Sequence, residues 1–316
     1  MFETLKTIDT VRLNLSTGAG LVINIALALI MFGVALGIKV RDFKNILQAP
    51  KVPIIGFVSQ FFVLPVLTFL VVILIKDYIT PTVGLGMILV AACPGGNISN
   101  FMSALAKGNA ALSITLTAIA TMSALFLTPF NFTFWGGLYI SQLNVDAPEL
   151  LQRLVIDPKK VFQTVFILLG IPLMLGMFVN HYFPKFTSKI MKPIKVFSIV
   201  VFIGIVVGLL QKNMQYFMMY IQYIFFIVLF HNILAFLSGY LFASANKIKG
   251  ANQRAITIET GIQNSGLAIV LLINPKIFPP ELAIGGMVFI AAWWGVWHII
   301  SGLSLAGVWS FFPPKK

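Results

Sequence analysis

Glu259 stands inside a long apolar stretch, and the polarity deepens after it. Thr260, Gly261, Gln263, Asn264, Ser265 and Gly266 follow before the chain turns apolar again at Leu267. A carboxylate next to amides, hydroxyls and the carbonyls that an unwound glycine frees is a set of oxygen ligands suited to a small hard cation. No run of Cys and His with zinc spacing accompanies it, which argues against a transition metal. A second polar knot lies earlier, where the apolar run 85–93 is cut by Pro94, Gly95 and Gly96 and followed by Asn97, Ser99 and Asn100. Pro94 removes a backbone donor, and the glycines tolerate an unwound turn. A half-helix restarting near Asn97 would aim free amides and a positive dipole end at an anionic group. Ser113, Thr117 and Thr121 recur every fourth residue, a polar stripe on one helix face. Gln60 stands alone in an apolar run.

Each of these residues has a plainer reading. Glu259 lies close after Arg254 and could snorkel to an interface. Ser and Thr in membrane helices bond their own i−4 carbonyl or ease close packing, and that is the favoured reading for Thr121. A lone Gln commonly makes an interhelical hydrogen bond. His231 and His298 read first as packing residues. Trp135 and Tyr139 read as an interfacial aromatic belt, as do Trp293, Trp294 and Trp297 in part.

The elements that must hold these residues are membrane helices. Of 316 residues, 59% are hydrophobic and only 10% charged, against about 25% charged in a soluble domain. The apolar runs divide into nine helices, at 17–38, 52–75, 82–106, 109–138, 161–183, 193–211, 216–246, 254–273 and 281–310. Neither half of the third or the eighth could span alone, since spanning takes about 20 apolar residues. Two interrupted segments in corresponding places of the two halves are the mark of a secondary transporter with its site at the bilayer midplane. Residues 1–16 alternate apolar and charged at helical spacing and read as a short amphipathic interfacial segment, with no signal-peptide pattern.

Most of the 22 basic residues fall on the side of the C-terminus, so that side is expected to be cytoplasmic and the N-terminus outside. Net charge +13, scattered over short loops, suits an anionic lipid leaflet and not nucleic acid. The single Cys93 excludes an internal disulfide.

The segments 92–100 (Ala-Cys-Pro-Gly-Gly-Asn-Ile-Ser-Asn) and 259–268 (Glu-Thr-Gly-Ile-Gln-Asn-Ser-Gly-Leu-Ala) resemble the two signature segments of the bile acid:sodium symporter family. Residues 31–37, 108–113 and 296–302 resemble it as well, so the likeness runs from about 27 to 306. The resemblance implies an all-α, polytopic membrane protein with nine transmembrane helices in inverted repeats. The two broken helices would cross in a core domain (about 52–138 and 216–310) beside a panel domain (about 17–38 and 161–211), all within one transporter unit, 17–316. It also implies paired sodium sites, one from Ser99, Asn100, Ser113, Thr117 and Glu259. The other would use Gln60, Glu259, Gln263 and the carbonyls of Thr260 and Ile262. Substrate would sit near Asn97, Asn264 and His298. Two departures stand out: bacterial relatives often have a further first helix, and Asn97 stands where the resemblance leads one to expect a smaller residue.

The expected protein is therefore a sodium-coupled importer of an organic anion in a bacterial inner membrane. Bile-acid-like, sulfonated and small carboxylate substrates all remain open. A sodium-independent or arsenite-type carrier using Cys93 is the nearer alternative. An intramembrane enzyme with Ser99 as nucleophile and His298 as base is a remote one, since no oxyanion scheme stands at matched positions.

Overall fold

The computed structural model describes residues 7–10, 25, 28–29, 31–38, 50–96, 98–143, 158–212, 214–275, 277–279 and 282–314. Regular structure among them is helical, with a single isolated β-bridge. Four helical stretches are long and apolar enough to cross a membrane by length and composition: Lys51–Leu74, Ala110–Ser141, Met218–Ala245 and Gly285–Ser310. This is a multi-pass membrane protein.

The first of these stretches is α1 (Lys51–Val58) continued through a π-helical turn, Ser59–Val63, into α2 (Leu64–Leu74). Pro65 explains the turn. It has no N–H to give the Phe61 carbonyl, and its ring crowds the preceding turn. That carbonyl instead accepts Asn131 Nδ2 at 3.0 Å. The first broken segment is α3 (Pro81–Ala92) and α4 (Ser99–Leu105), followed by the long α5 (Ala110–Ser141). Next come α6 (Pro158–Val165) and α7 (Ile171–Tyr182), joined by a second π-turn before Pro172. Then come α8 (Pro184–Lys212) and α9 (Met214–Ala245). The second broken segment is α10 (Gly250–Gly261) and α11 (Ser265–Leu272), and α12 (Gly285–Ser310) closes the order. The helix expected at 193–211 starts earlier, at Pro184. Its lysine-rich first turns carry no apolar signal, and Pro193 is accommodated within it.

Burial sorts the helices. In α3 every residue from Thr82 to Ala92 is buried, and in α10 every residue from Arg254 to Gly261. Helices apolar or enclosed all round belong to an interior. The long helices expose Leu70, Leu74, Phe126, Phe130, Phe226 and Phe230, side chains at home against lipid.

Of the expected interfacial segment 1–16, Thr7–Thr10 are described. They form a 3₁₀ turn with Ile8 and Asp9 buried in the protein. Thr80 Oγ1 donates to Asp9 Oδ1 at 2.7 Å, Thr82 Oγ1 donates to the same oxygen, and Thr7 Oγ1 bonds the Tyr220 hydroxyl at 2.5 Å. Burial pushes the Asp9 carboxyl above its ordinary pKa, against the pull of the Thr82 and Thr80 hydroxyls. Of the helix expected at 17–38, residues 31–35 are helical, with Met31 and Ala35 buried.

At the opposite end of the second broken segment, Arg254 holds carbonyls instead of a carboxylate. Its Nη1 donates to Ala106, Trp309 and Phe312 at 2.7 to 3.0 Å, and the guanidinium lies over the Trp309 ring. A cation at helix C-terminal carbonyls is favourable, and here it fastens the ends of α4 and α12 to α10.

Candidate functional site

The two breaks meet. Helix α3 gives way to extended backbone at Cys93 (φ −73°, ψ 158°), and α10 gives way at Ile262 (φ −109°, ψ 97°). Gly95 and Gln263 then pair as an antiparallel bridge. Gly96 N donates to Ile262 O at 2.7 Å, and Asn264 N donates to Pro94 O at 2.8 Å. Each unwound stretch thus satisfies the other's backbone groups, which a bilayer interior demands.

Glu259 occupies the space at this crossover. A Cβ at residue 95 would overlap Glu259 Oε1, so a side chain there would displace the carboxylate. Ser99 Oγ donates to Glu259 Oε2 at 2.5 Å, Ser113 Oγ to Oε2 at 3.0 Å, and Thr117 Oγ1 to Oε1 at 2.7 Å. Asn100 Oδ1 lies 3.2 Å from the same Thr117 hydroxyl, whose one proton goes to the nearer carboxylate. The carboxylate is 2% exposed, which removes the snorkelling reading. Thr121 bonds the Thr117 carbonyl at 2.7 Å, a local role.

Gln60 enters from the π-turn. Its Nε2 donates to Cys93 O at 2.9 Å and to Gln263 Oε1 at 2.8 Å. Gln263 Nε2 donates in turn to Thr260 O at 2.7 Å. Both partners of Gln60 Nε2 are acceptors, which fixes the amide orientation and leaves Gln60 Oε1 buried with no hydrogen-bond partner among the described residues. An orphaned amide oxygen beside an unwound backbone fits a site for a hard cation.

One family model, the sodium bile acid symporter family, matches residues 24–220. The chain belongs to this family. It is similar to an uncharacterised sodium-dependent transporter, YocS, of Bacillus subtilis, at 32% identity over 93% of this chain and 84% of that one. It is also similar to the probable sodium/metabolite cotransporter BASS1 of Arabidopsis thaliana chloroplasts, at 34% identity over 92% of this chain and 67% of that one. The human ileal sodium/bile acid cotransporter is 24% identical over 85% of this chain and 73% of its own length.

The expected substrate contacts of this family member are placed less simply. Asn97 lies outside the described residues. Asn264 is the N-cap of α11, its Oδ1 accepting Leu267 N at 3.1 Å. His298 is buried, and its Nδ1 lies 2.6 Å from the Trp294 carbonyl one turn back. Ser99 bonds Glu259 and His298 bonds Trp294, so a Ser99–His298 pairing has no geometric support among the described residues. His231 packs edge-on to Trp294 and bonds Thr68 Oγ1 at 2.9 Å. Tyr139 and Trp294 are fully buried against protein; Tyr139 fills the space beside Gly84 on α3.

Several contacts at the site could not be assigned from the sequence. Ser59 Oγ bonds Thr260 Oγ1 at 2.9 Å, Ser103 Oγ donates to Ser113 Oγ at 3.2 Å, and Asn232 Nδ2 donates to Gly261 O at 2.8 Å.

Proposed function

We propose that the protein is a sodium-coupled symporter of an organic anion that works by alternating access. One observation carries the reading. Glu259 is a buried carboxylate whose bonded partners are neutral hydroxyls, with no Lys, Arg or His among them in the described residues. A buried charge needs a counter-charge, and a set of oxygens around it recruits a hard cation.

Two ion sites share this carboxylate. Ser99, Asn100, Ser113 and Thr117 supply hydroxyl and amide oxygens on one side. Each hydroxyl that donates to Glu259 keeps lone pairs to face an ion. Gln60 Oε1, Gln263 and the carbonyls of Thr260 and Ile262 supply the other. Those two carbonyls already accept Gln263 Nε2 and Gly96 N, and a carbonyl has a second lone pair to offer. Sodium neutralises Glu259 and ties both unwound stretches into one geometry. The anion then meets a completed surface near Asn97, Asn264 and His298, which links the two affinities.

The helices fall into two groups of like design. A continuous helix, a broken one of 12 and 7 residues and a long helix in the first half match a long helix, a broken one of 12 and 8 residues and a long helix in the second. That likeness supports inverted repeats, a total of nine spans, and a core holding the crossover that moves against a panel built from 17–38 and 161–211. The N-terminus would lie outside and the C-terminus in the cytoplasm of a bacterial cell. The human relative's name mentions bile acid and the plant relative's mentions metabolite; an organic anion covers both.

Melting of the detergent-solubilised protein in sodium and in equal potassium tests the reading. Sodium should stabilise by about 2.7 kcal/mol at one hundred times its dissociation constant. Coincident melting curves in the two salts would rule sodium coupling out.

A further inference from the structure

Three consecutive carbonyls at the second break are each held by a different group. Thr260 O accepts Gln263 Nε2, Ile262 O accepts Gly96 N, and the middle one, Gly261 O, accepts Asn232 Nδ2 at 2.8 Å. Gly261 ends α10, where backbone carbonyls have no partner within the helix. Asn232 reaches it from α9 and is 1% exposed. The Asn232 amide cannot turn over freely, because its Oδ1 accepts Ser301 Oγ of α12 at 2.5 Å. Phe236, one turn after Asn232, fills the space where a residue-261 side chain would stand. Helix α9 therefore closes on the break with one polar contact set in a tight apolar surface.

We propose that Asn232, locked by Ser301, is a positioning residue for the ion site at the second break. The inference rests on the sodium reading above. Asn232 draws the Gly261 carbonyl toward α9 and so fixes the 261–262 peptide plane. That plane sets where the Ile262 carbonyl, next in the chain, can point. Without the amide donor, Gly261 O is a buried acceptor left without that partner. The peptide then samples orientations that spoil the preformed oxygens. Asn232 touches no ion; it acts through the backbone, as the outer partners of metal ligands do. Ser301 stands on α12, so its bond to Asn232 also ties α12 to the break.

Sodium titration of the melting temperature in wild type, Asn232→Leu, Ser301→Ala and Ser301→Thr tests this, with parallel melts in potassium. Wild type should respond to sodium; if it does not, the sodium reading itself fails. Given that response, Asn232→Leu should raise the half-saturating sodium concentration on the order of tenfold. Ser301→Ala should raise it less, and Ser301→Thr, which keeps the hydroxyl, should restore it. Should Asn232→Leu not fold, the Ser301 pair decides alone. If the variants lower melting equally in both salts and leave the half-saturating sodium concentration at the wild-type value, Asn232 only packs and the inference is overturned.

Discussion

Glu259 illustrates how one side chain can be costly to the fold and necessary to the proposed function. Three hydroxyl donors reach it from α4 and α5, and no cationic side chain balances it among the described residues. Glu259→Gln removes the charge and keeps the shape, and the hydroxyls of Ser99, Ser113 and Thr117 can rotate to suit an amide. The variant should melt in potassium at or above the wild-type temperature, yet show no sodium increment and no sodium-driven uptake. Uptake at the wild-type rate would end the assignment. The residues around Glu259 were legible because each is polar at membrane depth, where polarity is expensive. Ser99, Asn100, Ser113, Thr117, Gln60 and Gln263 all gather at the crossover. The roles of Asn232 and Ser301 were not legible, since a lone Asn or Ser in a long helix reads equally as a packing contact. The role of Arg254 was hidden for another reason: its partners are carbonyls, which every residue has.

At the scale of elements, the π-turn Ser59–Val63 gives Gln60 its place. Pro65 forces that turn, so Pro65→Ala should let the helix close in ordinary α geometry and swing Gln60 away from Cys93 and Gln263. The half-saturating sodium concentration should rise several-fold, while melting in potassium stays level or rises, because a proline inside a helix costs about 3 kcal/mol. A variant with unchanged sodium dependence would show that the turn does not position Gln60. Sequence periodicity located the long helices and both breaks to within a few residues. It could not show the π-turns, which keep the apolar pattern of the helix around them. It also missed the start of α8, where lysines hide the helical turns from a hydropathy reading.

At the scale of the whole molecule, the crossover offers a substrate few charges. Lys107 follows α4, and Arg254 is engaged with carbonyls. On the proposed reading an anion would be held by amides, among them the N-terminus of α11. Calorimetry with a matched acid, methyl ester and primary amide should find the acid bound measurably better. Asn264→Ser keeps a capping oxygen for Leu267 N and removes the side-chain amide donors, so it should narrow that preference without the roughly 1 kcal/mol cost of an uncapped helix. Neutral analogues that bind as well as the acid would exclude an organic anion. The count of nine spans came from apolar runs. Of these, the described residues give four uninterrupted candidates by length and composition, since the broken and partly described helices do not qualify.

The partners of the first break are made late. Ser99 bonds a carboxylate that lies 160 residues further along the chain. At about 5–20 residues per second, the ribosome needs on the order of ten to thirty seconds to supply it. Throughout that interval, half-helices too short to span sit in the translocon or the bilayer with their amides and hydroxyls unanswered. Arg254 then waits again, for the carbonyls of Trp309 and Phe312 near the chain's end. Biogenesis, more than the finished fold, is thus the moment of greatest exposure. Substitutions that weaken the crossover should first deplete the protein from the membrane, through quality control of a half-made chain, and only afterwards slow the copies that survive.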